Sequence, residues 1–74
     1  MKREWVIERI VYNKKANAIQ YKTIKRFSDA EGALNYLNKN KNEAIQLSNT
    51  YSVNTVPILI ATDKARKERS KIKD

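Results

Sequence analysis

The chain has 74 residues, with 16 Lys and Arg against eight Asp and Glu, a net charge of +8, and neither cysteine nor histidine. Such a length supports one domain that buries only about 60% of the surface its unfolded chain exposes. The missing Cys and His exclude disulfides, thiol nucleophiles, the commonest general base and the usual zinc ligands. Catalysis would have to rest on carboxylates, lysines or tyrosines, so no enzyme, no metal and no cofactor are expected. The longest nearly uninterrupted apolar run, Val56 to Ala61, is too short to span a bilayer, and the charged N-terminus leads into a strand pattern instead of a signal-peptide core. A cytoplasmic protein without membrane association is expected. Frequent Lys, Asn and Ile, all with AT-rich codons, fit a low-GC bacterium, its phage or a plasmid.

Glu4 to Tyr12 and Ala18 to Phe27 are rich in β-branched and aromatic residues and flank the polar Asn13–Asn17, a hairpin pattern. Pairing Val11 with Ile19 places Trp5, Ile7, Val11, Ile19, Tyr21 and Phe27 on one face. The same register sets Glu8 opposite Lys22 and Glu4 opposite Arg26, each pair worth about 0.2–1 kcal/mol. It also sets Lys25 opposite Trp5 and Arg9 opposite Tyr21, where cations can cover aromatic rings. The other face carries Val6, Ile10, Tyr12 and Ile24 and is too apolar for a purely solvated surface. Three covers suit it: the C-terminal part of this chain, a second copy in a homodimer, or a protein partner.

At Phe27 a two-residue hydrophobic period gives way to a helical one, predicting a helix over 28–40. Ser28 and Glu31 have the spacing of a capping box, and Ala30, Ala33, Leu34 and Leu37 form a narrow apolar stripe. The helix is expected to stop within the alternating Asn and Lys of Asn38–Asn42. Residues 43–50 fit either a continued helix or a strand, and the alternation of Ile45 and Leu47 with Gln46 and Ser48 favours the strand. Tyr51 to Thr55 is a polar connection. Pro57–Ala61 is read as a short strand buried on both sides, with Pro57 at its first position. Thr62 to Asp74 is either a solvated helix capped by Thr62 or Asp63, or a disordered basic tail.

The expected fold is therefore a small α+β single domain over residues 1–61, with a charged tail or solvated helix over 62–74. Its antiparallel sheet, the hairpin plus one or two C-terminal strands, packs on one helix.

Charge is unevenly distributed. Residues 1–27 hold eight Lys and Arg against two Glu, residues 28–50 two against three acids, and residues 51–74 six against three, or +6, −1 and +3. Basicity thus belongs to the hairpin and the tail, a distribution that attracts polyanions. The expected function is that of a phage- or mobile-element-type accessory protein binding nucleic acid. Its candidate contacts are Tyr12, Lys14, Lys15, Lys22 and Arg26 on the hairpin and Lys64, Arg66, Lys67 and Arg69 on the tail. The alternative is an inhibitor or modulator of a host protein, acting in host takeover or anti-defence through Val6, Ile10, Tyr12 and Ile24. An anionic-nucleotide binder is a third reading. The only glycine is Gly32, which excludes a Gly-rich phosphate loop.

Phe27-Ser28-x-x-Glu31-x-Ala33-x-x-Tyr36-Leu37, placed directly after a hairpin, resembles the sheet-and-helix arm-type DNA-binding domains at the N-terminus of some tyrosine integrases. The resemblance implies a sheet entering the major groove, with Lys14, Lys15, Lys22 and Arg26 facing DNA. Those domains have three strands before the helix, where this sequence has room for two.

Overall fold

The structure, a computed structural model, describes residues 3–51 and 54–71. Strands β1 (Glu4–Asn13) and β2 (Ala18–Phe27) precede helix α1 (Ala30–Lys39). Strands β3 (Ile45–Tyr51) and β4 (Asn54–Ala61) follow, and helix α2 (Asp63–Ser70) comes last. The sheet is antiparallel throughout, in the order β2-β1-β3-β4. Both C-terminal strands of the expected α+β fold are present, and residues 43–50 resolve in favour of the strand. Ser52 and Val53 of the expected connection, and the tail beyond Lys71, lie outside the described residues. No helix among the described residues is long and apolar enough to cross a membrane.

The topology follows from the hairpin. Once β2 occupies one side of β1, only the other side is open to β3, so the β2–β3 connection must cross the sheet. Helix α1 makes that crossing and buries Ala33 and Leu37 against Ile7, Ile45 and Leu47, with Trp5, Ile24, Phe27, Leu34, Tyr36 and Ile58 around them. A second cluster holds Ile10, Ala44 and Ala65 with Ile19 and Ala61. Since side chains alternate along a strand, Ile7 and Ile10 face opposite sides of the sheet, and each side has its own helix.

The hairpin register differs from the expected one. Asn13 Oδ1 accepts from the backbone N–H groups of Lys15 (3.0 Å) and Ala16 (3.3 Å), and Asn17 is left-handed at φ 50°. This tight turn pairs Asn13 with Ala18 and Val11 with Gln20, where the sequence pairing put Val11 against Ile19. A β-bulge then inserts Ile24 between the Glu8–Thr23 and Ile7–Lys25 pairs. Because each one-residue slip turns side chains to the other face, Ile19 and Tyr21 join Ile10 and Tyr12, while Ile24 and Phe27 join Trp5 and Ile7. Val11 and Tyr21, both expected on the apolar face with Trp5 and Ile7, are exposed.

The charge pairs change with the register. Arg26 still reaches Glu4 at 2.9 Å, although its strand partner is Val6. Glu8 turns away from Lys22 toward β3, accepting from Gln46 Nε2 at 2.8 Å and from the Ser48 hydroxyl. These bonds allow Gln46 and Ser48 to be buried in a central strand. Lys25 stands over Phe27 and Tyr36, 5.8 and 5.4 Å from the ring centroids, instead of over Trp5.

The expected capping box is absent. Helix α1 starts two residues later, with Asp29 as N-cap and no side-chain cap bond, and Ser28 is exposed. Phe27, packed on Tyr36 with centroids 5.8 Å apart, holds the strand end against the core, and the chain turns into the helix only beyond Ser28. The other end falls within the Asn run as expected, by a different device. Asn40 stays at φ −117°, its backbone N–H is shared between the Tyr36 and Leu37 carbonyls at 3.2 and 3.3 Å, and its Nδ2 adds a second donor to the Tyr36 carbonyl at 2.8 Å.

Strand β4 corrects another expectation. Pro57–Ala61 is not buried on both sides, because β4 can pair only with the free edge of β3 and so becomes an edge strand. Val56, Leu59 and Ile60 are 53, 76 and 41% exposed. Pro57 is the fourth residue of the strand, not its first, a position an edge strand tolerates because the missing donor need not serve a neighbour.

Candidate nucleic-acid interface

Helix α2 is fixed at its start by one hydroxyl. Thr62 Oγ1 accepts from the Ala65 backbone N–H at 3.2 Å, as an N-cap does, and also hydrogen-bonds the Glu43 carbonyl at the entrance to β3. The Thr62 backbone N–H donates to the Ile45 carbonyl at 3.1 Å. Of the two alternatives for residues 62–74, the Thr62-capped helix is the one present, and it is not free of the core. Ala65 is fully buried against Ile10 and Ala44.

At its far end the helix meets the hairpin. Lys71 Nζ donates to Glu68 at 2.9 Å and holds that carboxyl below the usual carboxylate range, against an opposing push from burial. The nearby backbone of Tyr12 lowers it further. Glu68 therefore lies close to β1, two residues before the turn lysines. Helix α2 thus runs from Ala44, at the α1–β3 loop, to Tyr12, near the hairpin tip.

With Ala65 inward, Lys64, Arg66 and Lys67 are all exposed. Lys64 and Lys67 share a hollow of about 370 Å³ with Lys41, Asn42 and Asp63. Arg66 and Lys41 border a neighbouring hollow of about 330 Å³ with Asp63 and Thr62. Among the described residues Asp63 is the one carboxylate lining the two hollows, and it lies 3.7 Å from Arg66, so four described cations stand around it. Lys41 belongs to this group although it was read only as part of a helix stop. Its spacing in the Asn run carries no sign of where α2 will land.

The remaining expected contacts divide. Lys14 and Lys15 are exposed at the turn. Tyr12 is half-buried, and its hydroxyl donates to Asn17 Oδ1 at 2.8 Å, so it supports the turn. Lys22 and Arg26 lie on the outer strand β2, whereas α2 packs mainly on β1, β3 and β4, and Arg26 is engaged by Glu4. Arg69 is half-buried with its Nε enclosed and unpaired, unlike its exposed neighbours. Tyr21, expected on the apolar hairpin face, is an exposed aromatic.

The surface expected for a host protein is closed. Val6 and Ile10 are 1 and 2% exposed, Ile10 lies beneath α2, and the bulge carries Ile24 to the α1 side, away from both. The cover for Ile10 is the C-terminal part of this chain. Among the described residues no group of three or more acidic side chains is placed to hold a metal ion. No known protein family, curated protein or solved structure matches the chain.

Proposed function

We propose that this protein is a small accessory nucleic-acid-binding protein of the phage or mobile-element type, and that it holds the sugar-phosphate backbone along the outer side of α2. The observation that carries the reading is the path of that helix. By running from the α1–β3 loop toward the hairpin, it sets Lys64 and Lys67 beside Lys41 at its start, and Lys14 and Lys15 are exposed on the turn that follows β1. Cations so placed neutralise phosphates and release their counterions. Phosphate contacts carry no sequence information, so a contact made through them is expected to be tolerant of sequence.

The test is fluorescence anisotropy of labelled duplex and single-stranded probes across a salt series. For duplex, log affinity is expected to fall against log salt with a slope near −0.9 per phosphate contacted. Replacing Lys64 and Lys67 together by Gln removes two contacts and is expected to flatten that slope by about 1.8. Absence of binding by the intact protein at about 0.1 M salt, where the Debye length is about 10 Å, overturns the proposal. An unchanged slope in the double variant removes α2 from the site.

A further inference from the structure

Helix α1 packs over the Ile7–Leu47 pair of the sheet. Two positions further along the strands, Trp5, Asn49 and Val56 stand side by side on β1, β3 and β4. Alternate residues of a strand share a face, so this row continues the face that α1 covers. A hollow of about 300 Å³ opens over it, lined by the three together with Ile58 and Arg3. That volume is at the lower end for small-molecule sites, and apolar walls with a few polar groups are their usual make-up. The β4 wall carries a bulge, a feature over-represented beside active sites: Ile58 and Leu59 are extra residues between the Ser48–Pro57 and Leu47–Ile60 pairs.

One polar group in this lining has no partner. Asn49 is 8% exposed, and its Oδ1 is enclosed without a hydrogen-bond donor, whereas buried acceptors are nearly always served. The torsion about the Asn49 Cβ–Cγ bond is broad, so the amide can turn its oxygen to a donor placed in the hollow. Trp5 is half-buried, with one part of its ring system packed on the α1 core and another lining the hollow. Arg3 is exposed and brings a guanidinium with five donors. The lining therefore suits a ligand that combines a flat apolar ring, an N–H donor on its edge and an anionic group.

We propose that this hollow binds an adenine nucleotide, with the ring against Trp5, the amino edge on the Asn49 amide and the phosphate toward Arg3. Aromatic side chains on a sheet stack bases. An Asn amide matches the adenine edge in two parallel bonds, its oxygen accepting from the N6 amino group and its nitrogen donating to N7. The nucleotide arrives either free or as an unpaired adenosine of a single strand. The hollow lies on the α1 side of the sheet, so it does not depend on the cations of α2.

Trp5 is the only tryptophan, and its fluorescence reports the site directly. AMP is expected to quench it saturably. Inosine monophosphate, which carries a carbonyl in place of the amino group, is expected to bind at least tenfold more weakly, and adenosine more weakly than AMP. Asn49→Leu removes an unpaired buried acceptor at similar volume; it is expected to melt no lower than wild type and to bind AMP at least tenfold more weakly. Val56→Phe fills the hollow from an exposed wall position and is expected to abolish quenching in a folded protein. Single-stranded oligodeoxyadenylate and oligodeoxythymidylate of equal length distinguish the sources: quenching by the former but not by AMP assigns the hollow to a strand, and quenching by AMP alone assigns it to the free nucleotide. Absence of quenching by both AMP and oligodeoxyadenylate up to millimolar nucleotide overturns the proposal. Equal binding of inosine monophosphate, equal quenching by oligodeoxythymidylate, or wild-type binding by either variant also overturns it. Replacing Lys64 and Lys67 by Gln is expected to leave AMP binding unchanged, so this reading and that of the α2 surface can fail separately.

Discussion

Thr62→Val tests whether α2 is an integral part of the fold, because it removes a hydroxyl and keeps nearly the same volume. Thr62 is 3% exposed, and its Oγ1 serves the Ala65 N–H and the Glu43 carbonyl, with the Ile45 N–H at 3.5 Å. Glu43 and Ile45 retain each other through a backbone bond of 3.0 Å, so the main loss falls on Ala65, whose N–H is left without an acceptor at a buried helix start. Losing an N-cap costs about 1 kcal/mol, and leaving a buried donor unpaired raises the total to roughly 2 kcal/mol. A domain of this size has a total stability of roughly 4–11 kcal/mol. At roughly 4–8 °C per kcal/mol, the melting temperature is expected to fall by about 8–16 °C. Thermal unfolding followed by circular dichroism measures it. Thr62→Ser, which keeps the hydroxyl, is expected to stay close to wild type, and so is Ser28→Ala, because Ser28 is exposed and caps nothing. A Thr62→Val protein melting within about 3 °C of wild type, less than a 1 kcal/mol loss would produce, would refute the assignment of a structural role to this hydroxyl.

Two further perturbations test the packing. Ile10→Asp places a carboxylate among Ile10's neighbours Ala44, Ala65, Ile19 and Ala61, where an uncompensated buried charge costs about 3–5 kcal/mol; loss of most of the folded signal is expected, and a stably folded variant would show that α2 does not cover this position. Gly32→Ala would ordinarily gain about 1 kcal/mol of helix propensity. Here the new Cβ would stand 2.9 Å from Asp29 Oδ1 and 3.1 Å from Phe27 Cδ1, so no rise in melting temperature is expected, and a clear increase would mean that the Phe27 ring moves aside freely.

The strand pair, the helix and the α+β class were legible in the sequence because they rest on local signals: β-branched alternation, a 3.6-residue stripe and a polar run of Asn and Lys. What local signals leave open is the register, since a turn that closes one residue tighter and a bulge of one residue each reverse the faces. Ile24 and Tyr21 changed sides for that reason. The apolar composition of Pro57–Ala61 resembles that of a buried strand, yet the order β2-β1-β3-β4 places it at an edge, and only the pairing of the preceding strands decides which place is left. The lysines of α2 were recognisable as a basic segment from their composition. Their placement beside Lys41 depends on Ala65, one small residue in a charged run, entering the space between Ile10 and Ala44. A single alanine produces no periodicity to read, so the sequence determined the charge and the tertiary packing determined where that charge is presented.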